Sequence, residues 1–179
     1  MKKVRRTTKE TDIIVEIGKK GEIKTNDLIL DHMLTAFAFY LGKDMRITAT
    51  YDLRHHLWED IGITLGEALR ENLPEKFTRF GNAIMPMDDA LVLVSVDISN
   101  RPYANVDVNI KDAEEGFAVS LLKEFVWGLA RGLRATIHIK QLSGENAHHI
   151  VEAAFKGLGM ALRVATKESE RVESTKGVL

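Results

Sequence analysis

Cysteine is absent from all 179 residues. Its absence excludes a disulfide framework and thiolate metal ligands, leaves His, Asp and Glu to hold any metal, and agrees with a reducing compartment. Long hydrophobic runs are also missing, and no stretch is long enough to cross a bilayer. The basic start, Met1 to Glu10, carries Thr7, Thr8, Lys9 and Glu10 where a secretory signal would place apolar residues, so a cytoplasmic protein without membrane attachment is expected. Neither charge sign is in excess: 25 basic residues face 26 acidic ones, for a net charge of -1. That balance gives no overall attraction to nucleic acid, and the short Lys2, Lys3, Arg5, Arg6 cluster lacks the aromatics or motif of a binding surface. What is present is 45% hydrophobic residues, enough to bury a core in one large domain or two small ones packed together.

Periodicity predicts a strand at Ile13 to Ile17, a helix at Asp27 to Leu41 capped by Asn26 or Asp27, and an alternating strand at Met45 to Tyr51. A helix from about His55 to Asn72 follows, with Pro74 marking where it has stopped. A hairpin turning at Met85 to Asp89 joins Arg79 to Ile84 and Leu91 to Ile98. The strand, helix, strand, helix order then recurs as Tyr103 to Ile110, Ala118 to Leu129, Ala135 to Gln141 and His148 to Lys167.

The recurrence extends to residues. Sliding His55 to Arg70 onto His148 to Arg163 without gaps matches both histidines, Glu59 with Glu152, Leu65 with Leu158, Gly66 with Gly159, Ala68 with Ala161, Leu69 with Leu162 and Arg70 with Arg163. Amphipathicity alone explains recurring Leu and Ala, but not an adjacent His pair with Glu at a fixed offset. The reading is an ancestral duplication, with residues 1–85 and 86–179 as pseudo-repeats of one compact α/β (α+β) unit, its largely antiparallel sheets covered by helices.

Residues three or four apart share a helix face, so Glu59 lies beside His55 or His56, and Glu152 beside His148 or His149. Adjacent histidines differ by about 100° around the axis, which directs the second one toward another ion. The halves are therefore expected to exchange ligands around two ions. Paired histidines near a helix start are commonly caps or surface residues, but two copies with matched glutamates favour metal. Nitrogen and oxygen donors without sulfur suit Mn, Fe, Zn or Ni. His138, on an alternating strand, reads as a packed or supporting residue. His32, beside a potentially orienting Asp31, is undecided on its own.

The chain resembles the imidazoleglycerol-phosphate dehydratase family nearly end to end. The matching blocks are Arg6-Thr7-Thr8-Lys9-Glu10-Thr11, Asp31-His32-Met33-Leu34, the first His-His-x-x-Glu with Asp60, Arg79-Phe80-Gly81, Arg101-Pro102-Tyr103, Gly144 through His149 with Glu152 and Phe155-Lys156, and Ser174-Thr175-Lys176-Gly177. The resemblance implies a lyase of histidine biosynthesis that dehydrates imidazole glycerol phosphate to imidazole acetol phosphate using two Mn ions. It implies a duplicated fold assembled through trimers into 24-subunit shells, with sites between subunits. It also implies metal ligation by His32, His55, His56, Glu59, His148, His149 and Glu152, an acid/base role for Glu10, and substrate or phosphate contacts from Arg79, Arg101, Lys156, Ser174, Thr175 and Lys176.

Some positions depart from the family pattern. Glu124 stands where the family usually has His, and is expected to serve as a substitute ligand. Tyr40 replaces His, Ala36 replaces Gln, and Leu57 and Trp58 replace polar residues, changes expected to crowd one half of the site. They leave open a sister lyase acting on a related phosphorylated azole, or a non-enzymatic metal-binding assembly protein of the same fold.

Overall fold

The computed structural model describes residues 3–110 and 118–177; Lys2 of the basic cluster lies outside them. The first half runs β1 (Lys3–Thr7), β2 (Thr11–Ile17), β3 (Ile23–Lys24), α1 (Leu28–Leu41), β4 (Met45–Tyr51) and α2 (Arg54–Glu71). The second runs β5 (Phe80–Met87), β6 (Ala90–Asp97), β7 (Tyr103–Asp107), α3 (Val119–Leu133), β8 (Thr136–Ser143) and α4 (Ala147–Ala165). Each half forms a four-stranded sheet, ordered β1-β2-β4-β3 and β5-β6-β8-β7. In both, the final edge strand is the parallel one, β3 on β4 and β7 on β8, while the other pairings are antiparallel. The duplication is thus present in topology as well as in residues.

The boundary expected between residues 85 and 86 falls inside β5. That strand pairs with β6 along its whole length, from Phe80 opposite Asp97 to Met87 opposite Ala90. The second sheet therefore begins at Phe80, and the hairpin turns at Asp88 and Asp89 rather than across Met85 to Asp89. The β1–β2 hairpin was not anticipated, because Arg5 and Arg6 interrupt the apolar alternation. Arg5 pairs outward with Asp12 at 2.8 Å. Arg6 Nε reaches Asp60 Oδ1 on α2 at 2.8 Å, and Thr11 Oγ1 donates to Asp60 Oδ2 at 2.5 Å. Asp60 is buried, and these two hydrogen bonds satisfy its carboxylate while tying the hairpin to the helix.

Alternation puts Ile13, Val15 and Ile17 of β2, and Val92, Val94 and Val96 of β6, in the core. The helices pack across the two halves, α1 on α4 and α2 on α3. Two identities of the repeat explain this pairing. A Cβ added at Gly66 would lie 2.6 Å from Leu133 N on α3, and one at Gly159 would lie 2.5 Å from Phe37 O on α1, so only glycine permits both approaches. Arg70 at the end of α2 donates to Leu133 O, in the last turn of α3, at 3.3 Å, and Arg163 at the end of α4 lies against Gly42, the left-handed cap of α1. Each repeat thus uses a final-turn cation to complement the carbonyl end of the other half's first helix.

At the centre, Trp58 meets Phe125 and Phe155 edge-on at 6.4 and 6.2 Å. Its indole Nε1 donates to Asp27 Oδ2 at 3.0 Å. Asp27, not Asn26, caps α1, accepting from the backbone N–H groups of Ile29 and Leu30. Arg54 Nε donates to the same carboxylate at 2.8 Å. One buried side chain therefore joins the start of α1 to α2.

Candidate metal centre

Because each second helix packs on the first helix of the other half, ligand types from both halves meet. Among the described residues, His32, His148 and Glu152 form one group and His55, Glu59 and Glu124 another, with their ligating atoms within 4.8 Å of one another in each. In the first, Glu152 Oε2 lies 3.2 Å from His148 Nε2, one turn back on α4, and 3.5 Å from His32 Nε2 on α1. The His32 and His148 rings stack with centroids 5.3 Å apart. Burial raises the Glu152 pKa, but Lys156 and His32 outweigh it, so the carboxylate stays below its ordinary range. In the second group, Arg131 Nη1 donates to Glu59 Oε1 at 2.8 Å.

Nitrogen and oxygen donors converging at this spacing fit a divalent ion, and both triads contain a His and Glu one helical turn apart. His56 and His149 stand outside these triads. His56 Nδ1 pairs with Asp52 at 2.8 Å, which raises the His56 pKa, and His149 Nδ1 pairs with Asp89 at 2.7 Å. Asp89 also accepts from the Glu145 and Asn146 N–H groups; these bonds, with His149, hold its pKa well below the carboxylate range. A carboxylate on Nδ1 orients an imidazole and raises the basicity of Nε2, an arrangement typical of metal-ligating histidines.

The remaining candidates distribute unevenly. Glu10, at the tip of the β1–β2 turn, places Oε2 3.8 Å from His56 Nδ1. Arg79, Ser174 and Thr175 line one cleft of about 610 Å³, together with Phe80, Arg171, Val172 and Glu173. Arg79 is fixed there by Asp97 at 2.6 Å and by the Glu173 carbonyl at 2.8 Å, so it braces the C-terminal segment. Lys156 sits instead at the first triad, 2.8 Å from Glu152 Oε1. Arg101 donates to the Ser99 carbonyl, and Lys176 is exposed; neither lines the cleft.

Several expectations need correction. Leu57 and Trp58 are wholly buried in the core and do not crowd the triads. Asp31 accepts from Thr25 N and Oγ1, serving the turn before α1 rather than orienting His32. His138 is exposed on β8 with its ring 5.6 Å from Tyr103, outside both triads. Sequence reasoning missed Asp52, Asp89, Arg131 and Arg171. Only Asp52 left a signal, four residues before His56.

Fold and site together define a class: internally duplicated α/β proteins that gather histidine and glutamate across paired helices. The model of one such family, imidazoleglycerol-phosphate dehydratase, matches residues 25–162. An imidazoleglycerol-phosphate dehydratase from Pyrococcus furiosus is 99% identical over 176 residues, covering 98% of this chain and 100% of that protein. Another, from Methanocella arvoryzae, is 46% identical over 188 aligned residues, covering 98% of this chain and 97% of that protein. The crystal structure of the Staphylococcus aureus imidazoleglycerol-phosphate dehydratase superposes with a TM-score of 0.83 at 32% identity, covering 94% of this chain and all of that one. The chain belongs to the imidazoleglycerol-phosphate dehydratase family.

Proposed function

We infer that this chain is the hydro-lyase that converts imidazole glycerol phosphate to imidazole acetol phosphate in histidine biosynthesis, using two Mn ions. The observation that carries the metal reading is the pair of triads, His32–His148–Glu152 and His55–Glu59–Glu124. With both ions bound, His32, His148 and Glu152 would hold one and His55, Glu59 and Glu124 the other, and the ions would supply Lewis-acid stabilisation of the negative charge that the substrate's imidazole ring carries before the adjacent hydroxyl is expelled.

The protein's own groups handle the rest. The proton to be removed sits on a carbon with no neighbouring carbonyl, so a carboxylate acting alone faces a poor acid. Glu10 is the acid/base: it takes that proton and returns one to the carbon next to the ring, while the departing hydroxyl leaves as water with the proton that the enol oxygen gives up as the product becomes a ketone. Its position near His56 supports this role. Arg79, Ser174 and Thr175 receive the phosphate, and Arg101, Lys156 and Lys176, which lie away from that cleft within one chain, reach it from a second copy. None of the triad residues lines the Arg79 cleft. That separation, and the standing of His56 and His149 outside the triads, supports a site completed by a second copy, in which those histidines ligate across an interface and trimers build a 24-subunit shell. No helix among the described residues is long and apolar enough to cross a membrane. We assign the protein to the cytoplasm as an enzyme of amino-acid biosynthesis.

Purified protein stripped of metal and resupplied with Mn should turn over imidazole glycerol phosphate, followed as acetol phosphate formation. Glu10→Gln should keep both ions and lose about 10²-fold or more in turnover, while Glu59→Ala and Glu152→Ala should each lower the bound metal. Equal metal content in all three variants would remove the ligand assignment.

A further inference from the structure

The triads occupy matching places in the repeat, yet their donors differ. One offers two imidazoles and a carboxylate, the other one imidazole and two carboxylates. The difference lies in the first helix of each pair, His32 on α1 against Glu124 on α3. The neighbouring cations differ too. Glu152 pairs through Oε1 with Lys156, one turn along its own helix and only 15% exposed, while Oε2 faces the two imidazoles. Glu59 is held through Oε1 by Arg131, which reaches over from α3 and is 54% exposed.

Duplication does not generate these cations. In the matched helices Lys156 aligns with Ile63, and Phe39 follows His32 at the spacing by which Arg131 follows Glu124. Neither cation has a counterpart at the matching position of the other half, so the two glutamates are held by different means.

Imidazole discriminates strongly among first-row ions, favouring Ni and Zn, whereas carboxylate oxygens accept hard ions such as Mn with less discrimination. Two neighbouring carboxylates also repel each other before an ion arrives, so a cation that fixes one of them organises the group. We propose that the two triads are unequal metal sites: His32–His148–Glu152 selects nitrogen-seeking ions, and His55–Glu59–Glu124 is a harder site in which Arg131 is the positioning residue of Glu59. This rests on the two-metal reading above.

Calorimetric titration of the metal-free full chain with Ni²⁺, and separately with Mn²⁺, tests it. Ni²⁺ is expected to bind in two steps at least about ten-fold apart, and Glu124→His should merge them. Arg131→Met should weaken one Mn²⁺ step about ten-fold and leave the other unchanged in the same sample, which reports an intact fold; Arg131→Lys should recover part of the loss. Equal Ni²⁺ steps in the wild type, an undiminished gap in Glu124→His, or unaltered Mn²⁺ binding in Arg131→Met would each overturn the proposal. A wild-type chain that bound neither ion would overturn the two-metal reading instead.

Discussion

At the scale of single residues, Asp27 shows how one buried carboxylate organises structure that the site depends on. It caps α1, which carries His32, and accepts from Arg54 and Trp58 of α2, which carries His55 and Glu59. Burial raises its pKa, but the bonds from Arg54, Trp58 and the Leu30 N–H lower it by more, so the folded value lies below the ordinary 3.8. A depressed carboxylate pKa contributes stability that is fully present above the unfolded value and is lost as pH falls through the folded one. Asp27→Ala should therefore cost about 3 kcal/mol at neutral pH, in line with breaking a buried, charged hydrogen-bond network. Urea denaturation measures this cost. Repeated between pH 6 and the acid range, it should show the deficit shrinking as the wild-type carboxylate becomes protonated; a deficit that does not vary with pH would assign the effect to packing.

Among the elements, the four long helices were legible because their apolar spacing runs over several turns, and their ends moved by only a few residues. β1 was not, because its outward Arg5 and half-buried Arg6 break the alternation, and β3 spans only Ile23–Lys24, too short to carry a pattern. The same distinction holds at the site. His with Glu one turn later is a local signal, visible along one helix. Which first helix faces that turn depends on contacts between halves, so His32 and Glu124 needed the family resemblance, and Asp89 on its hairpin gave no sign. The identities at Gly66 and Gly159 were visible, but their reason was not: they set the closeness of helix pairs. Gly66→Ala should cost about 2 kcal/mol, the scale of overpacking a tight core, because the new methyl meets backbone of α3 rather than a movable side chain. A shift in the thermal midpoint would register it, and an unchanged midpoint would mean that the helices separate freely.

For the whole molecule, the arrangement of the second histidines predicts metal-linked assembly. His56→Ala and His149→Ala should leave the secondary structure of the chain intact while reducing both bound Mn and particle mass, as read by native mass spectrometry before and after chelation. Wild-type mass that ignores chelation would separate assembly from metal. The crossed helix pairing also bears on symmetry. Since α1 packs on α4 and α2 on α3, neither triad can form within a single repeat. A chain with only one repeat would need an identical partner, each lending its first helix to its twin, and its two sites would be equal by symmetry. Two repeats in one chain remove the need for the chains to find one another and free the sites from identity, so that one triad can hold Glu124 where the other holds His32.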